Sequence, residues 1–292
     1  MKKKGLYFVI LTFIFSYLLA SVYYLMGGRI QDPGFMFMAI GYMFIPMIIA
    51  IILQKFLYKD SLKDLGLSLK FNWWWVVAWI LPLILSILTF AVGLLIPGVQ
   101  YSPGMEGFIA RLSESLTPEQ LEMLKAQITS SPLIIFVTMI IQGLIYGATI
   151  NAVAAFGEEY GWRGFLQKQY SYMSFWKMSL VIGVIWGLWH APIIIQGYNY
   201  PQNPIIGVFM MIGFTVLFTP LIAYVRIRSG SVIAAAIMHG TLNATAGIAI
   251  LFTSGGSDLT VGVMGLAGFI SMAILNLLLV FYDKKLAEES IM

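Results

Sequence analysis

The sequence predicts an all-α protein that is embedded in a membrane and crosses it about eight times. Sixty percent of its 292 residues are hydrophobic and only 10% are charged, a composition that ordinary soluble domains do not have. The apolar residues fall in long uncharged runs, which are typical of membrane spans. The fold class is therefore that of a polytopic membrane protein, and the polar residues inside its spans carry most of the functional information.

The composition also excludes several functions. The chain has no cysteine, so a disulfide framework, a cysteine-ligated metal and a thiol nucleophile are all excluded. The net charge of +4 is interpreted through its distribution along a membrane protein, and no nucleic-acid partner is predicted from it.

Three apolar runs make up the first part of the chain. The run 6–25 follows three lysines and resembles a signal peptide, but it is long enough to span and no small-residue cleavage site follows it. We interpret it as a retained signal-anchor helix. The second run covers residues 35–53, and the third covers residues 73–96 and begins with three tryptophans that suit a headgroup-level aromatic belt.

Residues 101–131 form a polar insert after the third run. Residues 117–120 have the form of a capping box with proline at the first helical position. Leu121, Leu124 and Ile128 recur at helical spacing. We therefore predict a short amphipathic helix that lies on the membrane surface or over the outer mouth of the bundle.

The later spans carry the polar residues of interest. Glu158 and Glu159 directly follow the fourth run, His190 lies in the fifth just before a helix-bending proline, and the seventh places His239 and Asn243 one above the other at i, i+4. The five later runs are residues 132–156, 178–195, 204–225, 231–252 and 261–282.

The basic residues predict the orientation of the chain. Eight spans place both termini on one side, and all 17 lysines and arginines except Arg29, Arg111 and Lys125 fall on that side. Because basic residues concentrate in cytoplasmic loops, we predict an integral protein of the bacterial plasma membrane with both termini in the cytoplasm.

Two carboxylates and an arginine follow the fourth run. Glu159 and Arg163 are four residues apart on one helical face and can pair, whereas Glu158 lies about 100° around the helix and has no local partner. Carboxylates beside hydrocarbon are costly and usually serve a function. Glu158 is therefore the candidate catalytic carboxylate.

The chain contains two histidines, and both lie in predicted spans. Either one alone is equally well explained by a hydrogen bond to a neighbouring helix. Together with Glu158 and Asn243, however, His190 and His239 make up the set of groups needed to activate a water and to bind a developing oxyanion. The chain has no Gly-x-Ser-x-Gly turn, which disfavours a serine protease. A membrane protease with two catalytic aspartates is also disfavoured, because these aspartates fall in predicted loops: Asp60, Asp64, Asp258 and Asp283.

These residues resemble three ordered motifs of the CPBP family of intramembrane proteases, also called the Abi or CAAX-protease-and-bacteriocin-processing family. The motifs are Glu158-Glu159-x-x-x-Arg163, Trp186-x-x-x-His190 and His239-x-x-x-Asn243. Trp186 stands where phenylalanine is more frequent. The resemblance implies a catalytic core at residues 132–252, preceded by N-terminal helices with an extracytoplasmic insert (1–131) and followed by a last helix with a cytoplasmic tail (253–292).

The resemblance implies hydrolysis of a peptide bond inside the membrane, in a CAAX-type prenylated protein or a bacteriocin-leader-like peptide. Glu158 then takes a proton from water, His190 holds or polarises that water, and His239 with Asn243 stabilises the oxyanion. The neighbouring ion pair orients the helix end. The partners are thus membrane lipid and a peptide or lipidated protein substrate.

A zinc site is the alternative use of the same residues, since the family is often labelled metalloprotease. Glu158, His190 and His239 form a two-histidine, one-carboxylate set that suits a catalytic zinc with an open position. These ligands come from three separate helices without the His-Glu-x-x-His spacing, and as a ligand Glu158 is lost as a base. We therefore favour a metal-free site, with no cofactor firmly implied and Zn²⁺ as the alternative.

Two other functions remain as alternatives. A non-catalytic bacteriocin-immunity or scaffold protein would keep the fold and bind a partner, but the intact motif set disfavours it. A proton-coupled transporter would use the glutamate and histidines as a relay, but no inverted repeat is evident and the polar residues cluster in the second half.

The predicted topology can be tested by chemical labelling, because the chain has no cysteine of its own. We expect Lys2→Cys and Glu122→Cys, made in separate variants, to react with a membrane-impermeant thiol reagent from opposite sides of the membrane. Modification of both from one side would show that the span count is wrong.

Overall fold

A computed structural model describes residues 3–113, 116–127 and 131–292, and most of these residues are helical. The α-helices are α1 (Lys3–Leu25), α2 (Pro33–Ile51), α3 (Trp73–Gly93), α4 (Glu106–Ser113), α5 (Pro118–Gln127), α6 (Pro132–Ala148), α7 (Ile150–Glu159), α8 (Gln167–Tyr170), α9 (Phe175–Trp189), α10 (Ala191–Ile194), α11 (Pro204–Ser229), α12 (Val232–Thr245) and α13 (Leu266–Lys285). The other elements are two π-helical turns (Ile52–Leu57, Tyr160–Leu166), two 3₁₀ turns (Leu62–Leu65, Ala246–Ile250) and an antiparallel pair of short strands, β1 (Gln100–Tyr101) and β2 (Thr253–Ser254).

The predicted all-α membrane fold is confirmed, but the number of spans differs from eight. Within the described ranges, six helices are long and apolar enough to cross a membrane: Lys3–Leu25, Pro33–Leu57, Trp73–Gly93, Pro204–Ser229, Val232–Ile250 and Leu266–Lys285. Pro132–Ala148 and Ile150–Tyr170 form a seventh if this pair, bent by 47°, is counted as one span. The predicted fifth span, α9, has only 15 residues, about 22 Å against a hydrocarbon thickness of about 30 Å.

The fourth predicted span is longer than expected and is not straight. The backbone breaks at Thr149, where φ is −120° and ψ is −93°. The Thr149 hydroxyl donates to the carbonyl of Ile145 at 2.6 Å, and the Trp79 indole donates to the carbonyl of Leu144 at 2.9 Å. These side chains provide donors next to the break, as bent membrane helices require. The chain then runs through α7 and a π-helical turn to Tyr170 rather than ending near residue 156.

The predicted fifth span is interrupted before Pro192, since α9 ends at Trp189 and α10 begins at Ala191. The first two helices satisfy carbonyls at the end of α9. Pro192 has no N–H to offer the carbonyl of Leu188 four residues earlier. The Tyr17 hydroxyl of α1 donates to this carbonyl at 2.7 Å, and the Tyr42 hydroxyl of α2 donates to the carbonyl of Trp189 at 2.5 Å. Helices α1 and α2 therefore support the segment that carries His190.

Glycine allows the central helices to approach closely. A Cβ at Gly240 of α12 would lie 2.4 Å from the carbonyl oxygen of Gly147 and 2.5 Å from the amide nitrogen of Ala152. A Cβ at Gly157 of α7 would lie 2.7 Å from the carbonyl oxygen of Met43 in α2. Small residues bring membrane helices into backbone contact in this way, and here α7 lies directly against both α2 and α12.

The polar insert contains two helices, α4 and α5. The capping box is confirmed, because the amide of Gln120 donates to the Thr117 hydroxyl at 3.3 Å and the amide of Thr117 donates to the Gln120 side chain at 2.9 Å. Of the three residues in the predicted apolar stripe, Leu121 is half-buried, whereas the side chain of Leu124 and the whole of Ile128 lie outside the described part of the chain. Lys2, counted in the charge asymmetry, also lies outside it.

One aspartate was misplaced by the sequence analysis. Asp283 lies within α13 and is buried, rather than in a loop. Its carboxylate accepts from the Tyr224 hydroxyl at 2.7 Å and from the Arg228 guanidinium at 3.2 Å. The helix continues past the predicted end at residue 282 because these two residues of α11 satisfy the charge.

Replacement of Gly240 by alanine should destabilise the protein by about 1 to 3 kcal/mol, the usual cost of overpacking, because the new methyl group meets backbone atoms that cannot rotate away. Gly247→Ala is the matched control, since its Cβ would lie at an ordinary 3.5 Å from the Met139 side chain. Thermal unfolding in detergent measures both. Equal stability of the two variants would contradict the close crossing of α7 and α12.

Candidate active site

A cavity of about 240 Å³ lies between α2, α7, α9, α11 and α12. Four of the six predicted site residues line it, namely Glu158, His190, His239 and Asn243. The other two, Glu159 and Arg163, are fully buried and are not part of its lining. The fold therefore brings together residues that are up to 85 positions apart, counting from 158 to 243, and separates them into a lining group and a buried pair.

Glu159 binds two cationic or ionisable side chains at once. Its Oε1 atom lies 3.1 Å from Arg163 Nη1 and 2.8 Å from His239 Nδ1. The predicted pair with Arg163 is confirmed, although it is completely rather than partly buried, with no exposed side-chain surface on either residue. The bond to His239 was not predicted. Because a carboxylate oxygen accepts, Nδ1 is assigned the hydrogen, and Nε2 is the ring nitrogen left for the cavity.

Arg163 is held in place by three neighbours. It lies in the π-helical turn Tyr160–Leu166, a feature that often occurs at functional sites. Its guanidinium carbon lies 4.2 Å from the centre of the Trp186 ring, and Nη2 donates to the Thr219 hydroxyl at 3.3 Å. An aromatic face, a hydroxyl and the Glu159 carboxylate together compensate for burying this charge.

Trp186 also binds the carboxylate of Glu158, for which the sequence predicts no local partner. Its indole Nε1 donates to Glu158 Oε2 at 2.8 Å. The ring face of Trp186 thus covers Arg163 while its N–H fixes Glu158. From the sequence, Trp186 is expected only to be a larger aromatic than phenylalanine, although a buried indole N–H usually has a polar partner. Phenylalanine at this position has no N–H to donate.

His190 is oriented by its own helix. Its Nδ1 lies 2.8 Å from the carbonyl oxygen of Trp186, and since a carbonyl accepts, Nδ1 is assigned the hydrogen. The ring packs edge-on against Trp189, with 4.8 Å between ring centres. As in His239, Nε2 of His190 is the ring nitrogen left to bind a group in the cavity.

Comparison with known proteins gives one family match. Residues 140–245 match a family model described as Type II CAAX prenyl endopeptidase Rce1-like, and this segment contains all three motifs. The match supports a relationship of this segment to the CPBP family of CAAX proteases. The match supports a CAAX-type intramembrane endopeptidase in general. No curated protein matches the chain.

Three of the residues outside the CPBP motifs that line the cavity carry a hydroxyl or an amide group. Tyr42 comes from α2, and Tyr198 and Asn199 come from the connection between α10 and α11. Asn199 has a φ of +64°, a left-handed conformation that asparagine tolerates better than most residues. Their sequence positions carry no periodic or motif signal, and only the packing of α2 against α7 reveals Tyr42 as a neighbour of the site.

The zinc alternative can be compared with the placement of the side chains. Among the described residues, no group of three or more histidine, aspartate or glutamate side chains is arranged to hold a metal ion. The metal-free mechanism itself stays a prediction.

Removing one partner of the buried pair should cost stability as well as activity. Arg163→Ala leaves the Glu159 charge without its guanidinium, and we expect a loss of about 3 kcal/mol or more in the free energy of unfolding. Lys168→Ala is the control on the next helical turn, because the Lys168–Asp64 pair is exposed on both sides and such pairs contribute little. A stable and fully active Arg163→Ala protein would contradict this assignment.

Proposed function

We propose that this protein is an intramembrane endopeptidase that hydrolyses a peptide bond in a membrane-associated peptide or protein with water activated by Glu158. The observation that carries the proposal is that one cavity is lined by Glu158, both histidines and Asn243. Substrates consistent with the family are CAAX-type prenylated proteins and bacteriocin-leader-like peptides. The mechanism uses only the side chains of this chain.

Glu158 is the base in this mechanism. Trp186 occupies Oε2, so Oε1 is the oxygen that takes the proton from water. His190 holds the same water by accepting its second hydrogen at Nε2. The hydroxide oxygen then bonds to the peptide carbonyl carbon, and the C–N bond breaks as Glu158 returns the proton to the leaving nitrogen.

The oxyanion is bound on the α12 side of the cavity. Asn243 donates from its side-chain amide, and His239 donates from Nε2 when the imidazole is protonated. Glu159 stabilises that imidazolium through Nδ1, as a carboxylate does for the histidine of a catalytic triad. Glu159 and Arg163 are thus positioning residues, and Glu158 is a catalytic residue.

We also propose that the protein lies in the bacterial plasma membrane with both termini in the cytoplasm. Two of the basic residues that predict this orientation, Lys4 and Lys168, form ion pairs with the connection from α2 to α3. Lys4 pairs with Asp60 at 2.7 Å, and Lys168 pairs with Asp64 at 3.3 Å. These contacts join the start of α1 and α8 to that connection, and the proposed orientation puts all three segments on the cytoplasmic side.

Glu158→Gln should lower the cleavage rate by about 10² to 10⁴-fold, the usual contribution of general acid–base catalysis, without changing the unfolding temperature. The assay uses detergent-purified protein and two quenched fluorescent probes, a prenylated CAAX peptide and an unprenylated apolar leader-like peptide. Glu119→Gln, at an exposed position of α5, is the control.

Two results would contradict the proposal in different ways. Full activity of Glu158→Gln would show that another group is the base. Failure of the wild-type protein to cleave either probe would instead favour the non-catalytic immunity or scaffold function.

A further inference from the structure

A second cavity of about 320 Å³ adjoins the catalytic cavity. The two cavities share five lining residues, which are Tyr198, Asn199, Ala246, Val263 and Met264. We call the second cavity the vestibule. Its volume lies at the lower end of the range for ligand pockets, and the shared lining residues place it next to the cavity that contains Glu158.

The vestibule is apolar, and the charged groups at its edge are engaged by the protein. Ile30, Leu112 and Ile250 contribute to its lining. The Asp258 carboxylate accepts from the backbone amides of residues 202 and 203 and from the Asn203 side chain at 2.8 to 3.2 Å. The Arg111 guanidinium donates to the carbonyl of Thr253 at 2.8 Å. The surface offered to a ligand therefore suits uncharged apolar side chains.

The vestibule lies at the end of the bundle opposite to the Lys4–Asp60 and Lys168–Asp64 contacts. Ile30 follows the far end of α1, a helix of 23 residues that separates it from Lys4 by about 34 Å. Gln202, at the exposed mouth of the vestibule, immediately precedes α11, whose other end carries Arg226 and Arg228.

Another cavity lies at the opposite end of the bundle. Among the described residues, Arg163, Lys168 and Arg226 contribute to its lining, and it shares no lining residue with the catalytic cavity. Glu159 and Trp162 are completely buried. The catalytic cavity shares lining residues with the vestibule and not with the cavity at the end that carries the basic residues.

We propose that the vestibule is the substrate entrance, and that it binds apolar side chains of an extended peptide segment that approaches from the exocytoplasmic face. This inference rests on the proposed function and narrows its substrate class. Peptides that are exported, or that reach the membrane from outside, fit this entrance. A prenylated protein held at the cytoplasmic surface does not reach an entrance on the exocytoplasmic side of the membrane.

The absence of native cysteine allows a direct test with single-cysteine variants of the full chain. Ile250→Cys places a thiol in the vestibule, and Ser171→Cys places one at an exposed position at the opposite end. Each variant is treated with a charged, membrane-impermeant methanethiosulfonate, either in intact spheroplasts or after the membranes are opened. Each unmodified variant is the reference for its modified form.

We expect Ile250→Cys to be modified in intact spheroplasts and Ser171→Cys only after the membranes are opened. Modification of Ile250→Cys should lower cleavage of the leader-like probe at least tenfold in detergent, mainly through a higher KM, and a thiol reductant should restore it. In the Ile250→Cys/Glu158→Gln protein, an excess of the same probe should slow modification. The Ser171→Cys protein should show neither effect.

Three results would overturn the inference. Modification of Ile250→Cys only after the membranes are opened, or not at all, would show that the vestibule does not open to the exocytoplasmic side. Modification without an effect on cleavage and without protection by the probe would show that substrate does not pass through it. If the wild-type protein cleaves neither probe, the proposed function fails, whereas labelling and protection still report on the vestibule.

Discussion

The arrangement of the site depends on one carboxylate oxygen, Glu159 Oε1, which contacts both Arg163 and His239. All three side chains are buried, and a buried ion that loses its partner costs several kcal/mol. The folded state must therefore bring α7, the π-helical turn and α12 together at this point. The same contact directs one nitrogen of His239 to Glu159 and leaves the other for the cavity, while Glu158, one position earlier, turns its carboxylate into that cavity.

The rest of the bundle allows the contact of Glu159 with Arg163 and His239 to form and shields it from solvent. Gly240 lets α12 approach the backbone next to α7, and Trp186 covers the Arg163 guanidinium while binding Glu158. Tyr17 of α1 and Tyr42 of α2 bind the carbonyls of Leu188 and Trp189 at the end of α9. The first two helices carry no motif, yet they fix the segment that presents His190.

Much of this could be predicted from the sequence because hydrocarbon imposes simple rules. Long apolar runs predicted the helices, the i, i+4 spacing predicted the pair of Glu159 with Arg163, and the scarcity of intramembrane polar residues singled out the cavity lining. The bend at Thr149, the short α9 and the buried Asp283 depend on contacts between distant helices, which periodicity does not encode. The same is true of the bonds from Trp186 to Glu158 and from Glu159 to His239, because each joins residues on different helices.

The most direct test of how the site depends on Glu159 is a double-mutant cycle on the free energy of unfolding in detergent. The variants are Glu159→Gln, Arg163→Met and the two combined. If the pair is the constraint, each single variant leaves a buried charge uncompensated, and the double variant should be more stable than the sum of the single effects by about 2 kcal/mol. Effects that add to within about 0.5 kcal/mol would show that the two residues act independently and would contradict the role given to Glu159.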